Sequence, residues 1–423
     1  MKANFGKKGW IIIIFTLFIY MFTSTAADVL NITTDGFALR FGMDSGSSLL
    51  IFAAIGGFIG IPTSFIVGHI ISKKGLKGPT VALFIILAVI WFLYGRCNTF
   101  GQYAVIATVI MALANCTNLV LTQQLMSNWF PKKKGIALGW ATIGMPLDGA
   151  LMIPVFQALI VRFDLAAPFY LMAVIFVILA VLMLLAIKEY PEQAGVYPDN
   201  EPITEEEKAA NLALLANYKS EFTIKKLFAT KDMWLLVITF GLMFIGLLGA
   251  MTQMIPRLTA IGMDINTAIA WLSVVSIISL PASVIWGIID QKIGTKKTTV
   301  IFAALWTIMM FMSAISCHTI NMPITIFSVL FLACMNGGLG NMMPSMIISV
   351  FGRYDFANAN KLIVPFVVGI RTLAFLIMPM ILGIAGANVA HGFFLAFIVF
   401  GILSLISFIA SLFISKTTIG KIM

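Results

Sequence analysis

Two charged side chains lie deep inside long apolar runs of this chain, where charge is costly. Arg371 stands in the segment Gly369-Ile-Arg-Thr-Leu, and Asp148 stands in Met145-Pro-Leu-Asp-Gly. A charged group at the centre of a bilayer costs about 2.5–3.5 kcal/mol or more, so each is a functional candidate. The arginine fork suits a carboxylate or phosphate held by two parallel hydrogen bonds. We predict that Arg371 binds an anion; the alternative is a structural contact with an acid or with helix carbonyls.

Asp148 is a candidate proton carrier, and Asp28 is a second one. A carboxyl group removed from water resists ionisation, which suits uptake and release of a proton. By the rise of a helix, Asp148 and Arg371 lie about 21–22 Å from the inner ends of their runs, near mid-depth, whereas Asp28 lies at about 27 Å. We therefore expect Asp28 to face an outer vestibule. For Asp148, a structural hydrogen bond or a salt bridge to Arg371 remains an alternative.

Uncharged polar residues within the apolar runs could hydrogen-bond a bound molecule. Asn115 and Asn336 stand 221 residues apart, each among small residues, and Asn118 follows Asn115 by three residues. Tyr20 and Gln253 are weaker candidates. The alternative for the asparagines is an interhelical amide bond, worth ~0.6–2 kcal/mol.

Membrane-spanning helices must position all of these residues. The 423-residue chain is 60% hydrophobic and 10% charged, far from the roughly 45–50% apolar, ~25% charged composition of soluble domains. Apolar runs of the ~20 residues that cross a bilayer recur along the chain, and lipid requires them to be helical. The predicted fold class is an all-α membrane protein with twelve spans. Their windows are 10–31, 47–71, 79–96, 101–126, 135–161, 166–188, 232–256, 266–289, 298–317, 322–349, 357–385 and 389–415.

The net charge of +10 follows membrane topology and does not indicate a nucleic-acid partner. Most lysines fall between alternate spans, and the positive-inside rule then places both termini in the cytoplasm. Outer loops hold only Arg40, Arg96, Arg162 and Arg257. The polar stretch 189–231 predicts a cytoplasmic linker, with an amphipathic helix near 212–218, between the six-span halves 1–188 and 232–423.

Catalytic and metal chemistry are not predicted. The four cysteines and three histidines are scattered, without metal-ligand spacing. We therefore expect no metal, no cofactor and no enzymatic activity. A channel is disfavoured because the sequence has no filter-like loop or ring of charges.

One short pattern occurs twice, 219 residues apart, at the end of an apolar run each time. Both copies read G-x-x-x-x-K-x-G-x-K, which indicates two related halves that share one loop design. The first copy contains Gly68, Lys73, Gly75 and Lys77, and the second contains Gly287, Asp290, Lys292, Gly294 and Lys296.

The repeated loop resembles the motif that the major facilitator superfamily carries between helices 2 and 3 and again between helices 8 and 9. The family normally has Asp at the fifth position, where this chain has Ser72 and Gln291, with Asp290 one residue early. The resemblance implies that these loops latch the cytoplasmic side. It also implies that the first, fourth, seventh and tenth helices line a central cavity, flanked by the fifth and eleventh.

Two further segments narrow the resemblance. Residues 128–135 read NWFPKKKG and residues 190–198 read YPEQAGVYP, which resembles bacterial monocarboxylate and oxalate/formate-exchanger-like members. The resemblance implies a secondary active transporter for a small organic anion, a mono- or dicarboxylate, by proton symport or anion exchange. The alternative is efflux of amphipathic compounds by proton antiport, in which Arg371 would pair with Asp148 or another acid. We expect a monomer in the bacterial inner membrane.

Overall fold

The structure, a computed structural model, describes residues 4–43, 49–202, 204, 206–207, 218, 220–386, 388–416 and 418, apart from the side chains of residues 31 and 266. Within these residues the long elements are all helices. In the first part of the chain they are α1 Gly6–Asp28, α2 Ile51–Lys74, α3 Lys77–Gly95, α4 Phe100–Trp129, α5 Lys134–Arg162 and α6 Ala167–Leu185. In the second part they are α7 Lys231–Thr252, α8 Ile265–Ile293, α9 Thr295–Thr319 and α12 Val389–Phe413, with α10 and α11 between α9 and α12.

The helices α10 and α11 form one element that a glycine divides. Met322–Thr372 has 51 residues, which would rise about 77 Å, far more than one bilayer crossing. It breaks at Gly352, whose φ of 77° and ψ of 173° are not helical. We call the part before Gly352 α10 and the part after it α11. A turn at Leu373 leads α11 on as Ala374–Ala385.

The prediction of an all-α membrane protein is confirmed. Eleven apolar helical stretches among the described residues are long enough to cross a membrane, and one of them, Met322–Ala385, contains both α10 and α11. Each of the twelve predicted windows overlaps one of these helices. Side-chain caps start several of them: the side chains of Thr99, Asn321 and Asn388 accept backbone N–H groups of the first turns of α4, α10 and α12.

Two pairs of helices make the most extensive contacts between α1–α6, which we call the N-half, and α7–α12, the C-half. These pairs are α2 with α11 and α5 with α8. Glycines allow the contact: a Cβ at Gly68 would lie 2.8 Å from Lys361 Cβ, and one at Gly287 would lie 2.3 Å from the Gly135 carbonyl oxygen. The ends of the helices that bear the repeated loops are therefore packed closely together.

The two repeated loops share one backbone geometry. Gly75 has a φ of +79° and Gly294 a φ of +89°, in the region that favours glycine. The first glycine of each copy, Gly68 or Gly287, instead contacts the opposite half. The amphipathic helix predicted near 212–218 lies outside the described residues, apart from Tyr218.

Candidate functional site

Arg371 and Asn115, two predicted binding residues, meet across the two halves. The Nη2 of Arg371, near the end of α11, donates to Asn115 Oδ1 of α4, and the guanidinium lies 5.9 Å from the ring centroid of Phe244 in α7. Arg371 is partly exposed. No described carboxylate lies within 4.0 Å of it, so the salt bridge to Asp148 that the sequence left open is not formed. The cation is thus held by an amide and an aromatic ring.

One turn further along α4, Asn118 connects to α1. Its Nδ2 donates to Thr23 Oγ1 at 3.0 Å and lies 3.4 Å from Ser24 Oγ. Asn118 belongs to a π-helical turn, Thr117–Leu121, that interrupts α4. Single π turns inside α-helices are frequent at functional sites, and no pattern in the sequence indicated this one.

Asp148 and Asp28 form a carboxylate pair. Thr25 Oγ1 of α1 donates to Asp148 Oδ1 at 2.5 Å, and Asp28 Oδ2 lies 4.0 Å from where a Cβ at Gly149, the next residue after Asp148, would stand. Asp148 is fully buried, and its Oδ2 has no donor in the described part of the chain. Two neighbouring carboxyl groups removed from water oppose each other's ionisation, which makes the pair a candidate for holding a proton.

The prediction that Asp28 faces an outer vestibule stays a prediction, and the structure adds that its partly exposed side chain lies near Asp148. Counting residues placed Asp28 about 6 Å further along its helix than Asp148, at 1.5 Å per residue, and so in an outer vestibule. Depth along a helix is not depth in the bundle, because α1 and α5 pack closely: a Cβ at Gly144 would lie 2.1 Å from the Leu17 carbonyl oxygen. This contact brings Asp28 beside Asp148.

These contacts form one polar path through the middle of the bundle. It runs from Arg371 to Asn115, then along α4 to Asn118, across to Thr23 in α1, and along α1 to Thr25 and the carboxylate pair. Asn115 and Asn118 are three apart on α4 and are neighbours about 5–6 Å apart, whereas Thr23 and Thr25 are two apart on α1 and lie on different faces of that helix. The path joins α11, α4, α1 and α5.

The other predicted binding residues lie off this path. Asn336 of α10 donates to Ser279 Oγ of α8 at 3.2 Å, an interhelical bond of the kind that the sequence left open. Tyr20 is fully buried. Gln253 is partly exposed at the break between α7 and Met254–Ala260. No three His, Cys, Asp or Glu side chains come together among the residues that the structure describes.

At the end that bears the repeated loops, an acid and small residues make the contact between halves. Asp290 accepts from Ser345 Oγ at 2.5 Å, and its Oδ2 lies 2.6 Å from where a Cβ at Gly135 would stand. Ser283 donates to the Gly139 carbonyl at 2.7 Å.

The loop lysines do not take part in this contact as ion pairs. Lys73 and Lys292 are exposed, Lys77 is partly exposed, and Lys296 donates to the Ser411 carbonyl within the C-half. None of the four lies within 4.0 Å of a described carboxylate.

A buried ion pair at the same end is the strongest contact that sequence reasoning missed. Arg353, just after Gly352, donates from Nη1 and Nη2 to Glu192 Oε1 and Oε2 at 3.0 and 3.1 Å, and both side chains are 1% exposed. Glu192 lies in the segment after α6 and Arg353 in the C-half, so the pair joins the two halves. The segment YPEQAG, which contains Glu192, indicated a family resemblance, but nothing in it indicated that Glu192 would pair with Arg353.

The segment after α6 also caps α5. Asp199 accepts from the backbone N–H groups of Lys132 and Lys133 at 3.0 and 2.6 Å. Burial raises the pKa of Asp199, while these two N–H donors act in the opposite direction. An acid at the start of a helix is favoured by the helix dipole, so this segment fixes the start of α5.

Arg257 is not the exposed outer-loop residue that the charge count assumed. It lies in the helix Met254–Ala260 and is fully buried. Its Nη2 donates to Ser316 Oγ and Ser328 Oγ, both at 2.7 Å, and its guanidinium lies 4.6 Å from the Phe397 ring centroid. The residue count missed this because a short helix returns Arg257 into the C-half.

The sequence and the structure match known transporters. The Major Facilitator Superfamily profile matches residues 16–363. The chain is 22% identical to the uncharacterized MFS-type transporter YhjX of Escherichia coli (strain K12) over 302 residues, 70% of this chain and 69% of that protein.

Solved structures share the fold over almost the whole chain. The proton:xylose symporter XylE superposes with a TM-score of 0.69 at 15% identity, covering 97% of this chain and 95% of that one. The human organic anion transporter MFSD10 (TETRAN) gives 0.67 at 12% identity, with coverage of 96% and 99%. The E. coli fucose:proton symporter FucP gives 0.67 at 14% identity, again covering 96% and 99%. With its twelve spans, its paired loops and this match, the chain belongs to the Major Facilitator Superfamily.

Proposed function

We propose that this transporter moves a small organic anion, a mono- or dicarboxylate, and that Arg371 binds the cargo carboxylate. The observation that supports this most is the surroundings of Arg371: an amide acceptor and an aromatic ring, with no described carboxylate within 4.0 Å. Asn115 Oδ1 accepts from Arg371 Nη2, and its two lone pairs can accept at most two of the five guanidinium N–H groups. The remaining donors suit a carboxylate that arrives from solution.

The alternative, efflux of amphipathic compounds, makes the opposite prediction about Arg371. It requires the arginine to be neutralised by Asp148 or another acid, and the contacts of both residues go elsewhere. The fold does not discriminate between cargoes, because proton-coupled sugar symporters and an organic anion transporter share it. The choice of an anion rests on Arg371 and on the resemblance of the loops to the monocarboxylate branch.

Proton symport follows from the charge of the central site. Arg371 contributes one positive charge, and the Asp28–Asp148 pair holding one proton contributes one negative charge, so the empty site is neutral. A bound monocarboxylate adds one negative charge. A second proton on the pair restores neutrality, which favours movement through the membrane interior. The proposal therefore gives one proton for each monocarboxylate.

Alternating access is proposed to occur by rocking of the N-half against the C-half. The end with the repeated loops is closed by Gly287, Asp290 and the Glu192–Arg353 pair. The central residues Arg371, Asn115 and Asp28 remain partly exposed. If the lysine-rich end is cytoplasmic, as the charge count predicts, this state would take up cargo from the outside.

Uptake into proteoliposomes tests the proposal. A panel of labelled mono- and dicarboxylates is offered with and without an inward pH gradient, to wild type, Arg371→Ala and Arg371→Lys. We expect uptake of one or more carboxylates by wild type and loss of it in both variants, because lysine does not reproduce the planar fork.

Arg162→Gln is the matched control, since Arg162 is an exposed arginine at the end of α5. It should transport like wild type. Carboxylate uptake that persists at the wild-type rate in Arg371→Ala would overturn the proposal, as would a panel in which only cationic amphipathic compounds move.

A further inference from the structure

A second polar cavity lies away from the central site, at the end of the bundle that bears the repeated loops. Its volume is about 410 Å³, within the range of small-molecule sites. Both halves contribute to its wall, and Tyr218 of the linker completes it. The side chains that matter are Ser72, Gln124 and Tyr190 of the N-half and Arg353, Tyr354 and Asn358 of the C-half.

Two residues of the cavity wall carry buried donors that have no partner among the described residues. Arg353 is 4% exposed; its two terminal nitrogens bind Glu192, but its Nε has no acceptor among the described residues. The buried Tyr354 Oη likewise has no hydrogen-bond partner in the described chain. A buried donor left unpaired is costly, so an acceptor in the cavity would stabilise both groups.

Two lysines, one from each half, stand next to residues of the cavity wall. Lys361 Nζ donates to Asn358 Oδ1 at 2.6 Å, and Lys361 is 7% exposed. Lys73 follows Ser72 in the chain, and its side chain is exposed. Neither ammonium group has a carboxylate within 4.0 Å in the part of the chain that the structure describes. Ser72 occupies the position where the loop motif normally has Asp, so the acid that could separate these lysines is missing.

The acids near the cavity are already engaged. Glu192 binds Arg353, and Asp355 accepts from Tyr218 Oη at 2.6 Å. Glu189 also lines the cavity; burial raises its pKa, while the backbone N–H of Leu76 acts in the opposite direction. The balance of unpaired groups is positive and rich in donors.

We propose that this cavity binds a small oxyanion of the phosphate type and that the bound anion holds the two halves together at the lysine-rich end. The wall comes from both halves, so the complete set of donors exists only while this end is closed. An anion that binds the closed state alone shifts the equilibrium toward that state. The site would therefore inhibit opening on this side, independently of which cargo the central site takes.

Equilibrium binding of radiolabelled inorganic phosphate to the full-length protein in phosphatidylcholine nanodiscs tests the site. Wild type should bind saturably. Lys73→Gln, at an exposed position that leaves folding intact, and Tyr354→Phe, which removes one hydroxyl, should each weaken binding about tenfold. The control Lys74→Gln makes the same charge change in the same loop and should leave the affinity within about twofold of wild type, the scatter expected of an uninvolved exposed charge.

Closure is measured separately, as the alkylation rate of a cysteine at position 360. The Asn360 side chain is buried and bonds the Leu119 carbonyl across the halves at 3.4 Å, so Asn360→Cys, in a chain whose four native cysteines are replaced by alanine, reports opening. Phosphate at ten times its Kd should slow alkylation about tenfold. Absence of saturable binding, equal weakening by Lys74→Gln and Lys73→Gln, or alkylation that phosphate leaves unchanged would each overturn the proposal.

Solution and a lipid headgroup are two sources of a phosphate group, and a second arm of the experiment distinguishes them. Phosphatidylglycerol replaces half of the lipid in the nanodiscs. Competitive loss of labelled phosphate would identify the lipid headgroup as the occupant, and unchanged binding would identify the free anion; both results support the site. Phosphate binding and closure are both measured without an uptake assay. A negative result for this anion site is therefore distinguishable from a negative result for carboxylate transport.

Discussion

The ion pair between Glu192 and Arg353 should control opening of the lysine-rich end. Glu192→Gln keeps the shape of the side chain and removes its charge, which leaves Arg353 buried without a counter-ion. Breaking a buried pair in this way costs about 3–5 kcal/mol. Both hydrogen bonds have ordinary lengths, 3.0 and 3.1 Å, and both side chains are 1% exposed, so the cost given for a buried pair applies.

This cost falls on the closed state alone. Glu192 lies in the segment after α6, which is bound to the N-half through Asp199, and Arg353 belongs to the C-half, so separation of the halves would return both groups to water. At about 1.4 kcal/mol for each factor of ten, the open population should rise at least 100-fold. Alkylation of the cysteine at position 360 measures that population, because the rate follows the open fraction when reclosing is fast.

The matched control is Glu201→Gln. Glu201 pairs with Lys132 at 3.3 Å on the surface, with side chains 42% and 65% exposed, and such pairs contribute about 0–1 kcal/mol. In Glu201→Gln, the alkylation rate of the cysteine at position 360 should stay close to the rate measured without this change. The reasoning fails if Glu192→Gln and Glu201→Gln give the same rate, because the buried pair would then not hold the halves together.

Three further predictions concern coupling, closure and stability. Asp148→Asn should abolish the roughly tenfold accumulation of anion per pH unit that one proton per anion allows, while exchange of one anion for another continues. Uptake measures the accumulation and counterflow measures the exchange; unchanged pH dependence of uptake would exclude Asp148 from coupling. Gly287→Ala should accelerate alkylation at position 360, because its Cβ would lie 2.3 Å from the Gly135 carbonyl oxygen, whereas Gly78→Ala, with nothing within 4 Å, should not. Arg257→Lys should lower the thermal midpoint through loss of about 1.5–3 kcal/mol in hydrogen bonds to a charged group, whereas a midpoint equal to wild type would show that the serine contacts contribute nothing.

Features that depend on local sequence were predictable. Apolar length located twelve spans, because a bilayer fixes how many residues a helix needs. The loop pattern located two turns whose glycines share positive φ values. Arg371 was predicted because charged residues are rare within membrane spans, and Asn115 because it is a polar residue among small ones. The structure places the two side chains in contact.

Features that depend on how helices cross were not predictable. Asp28 and Asp148 are 120 residues apart, and their proximity follows from the close packing of α1 on α5 at Gly144. Glu192 and Arg353 meet because the segment after α6 reaches the residues that follow Gly352. The spacing of apolar residues along the sequence does not predict this contact. Arg257 was misplaced for a related reason, since counting residues treats a short buried helix as a loop.

The central claim is that Arg371 recognises the charge of the cargo, and competition with a carboxylate and its amide tests it most directly. Both compounds have nearly the same shape, and each is titrated against labelled cargo bound to wild type and to Arg371→Gln. We predict that wild type prefers the carboxylate by about 100-fold or more, as expected for loss of a charged hydrogen-bonded partner, and that Arg371→Gln shows almost no preference. A preference for the carboxylate that Arg371→Gln retains in full would contradict the account.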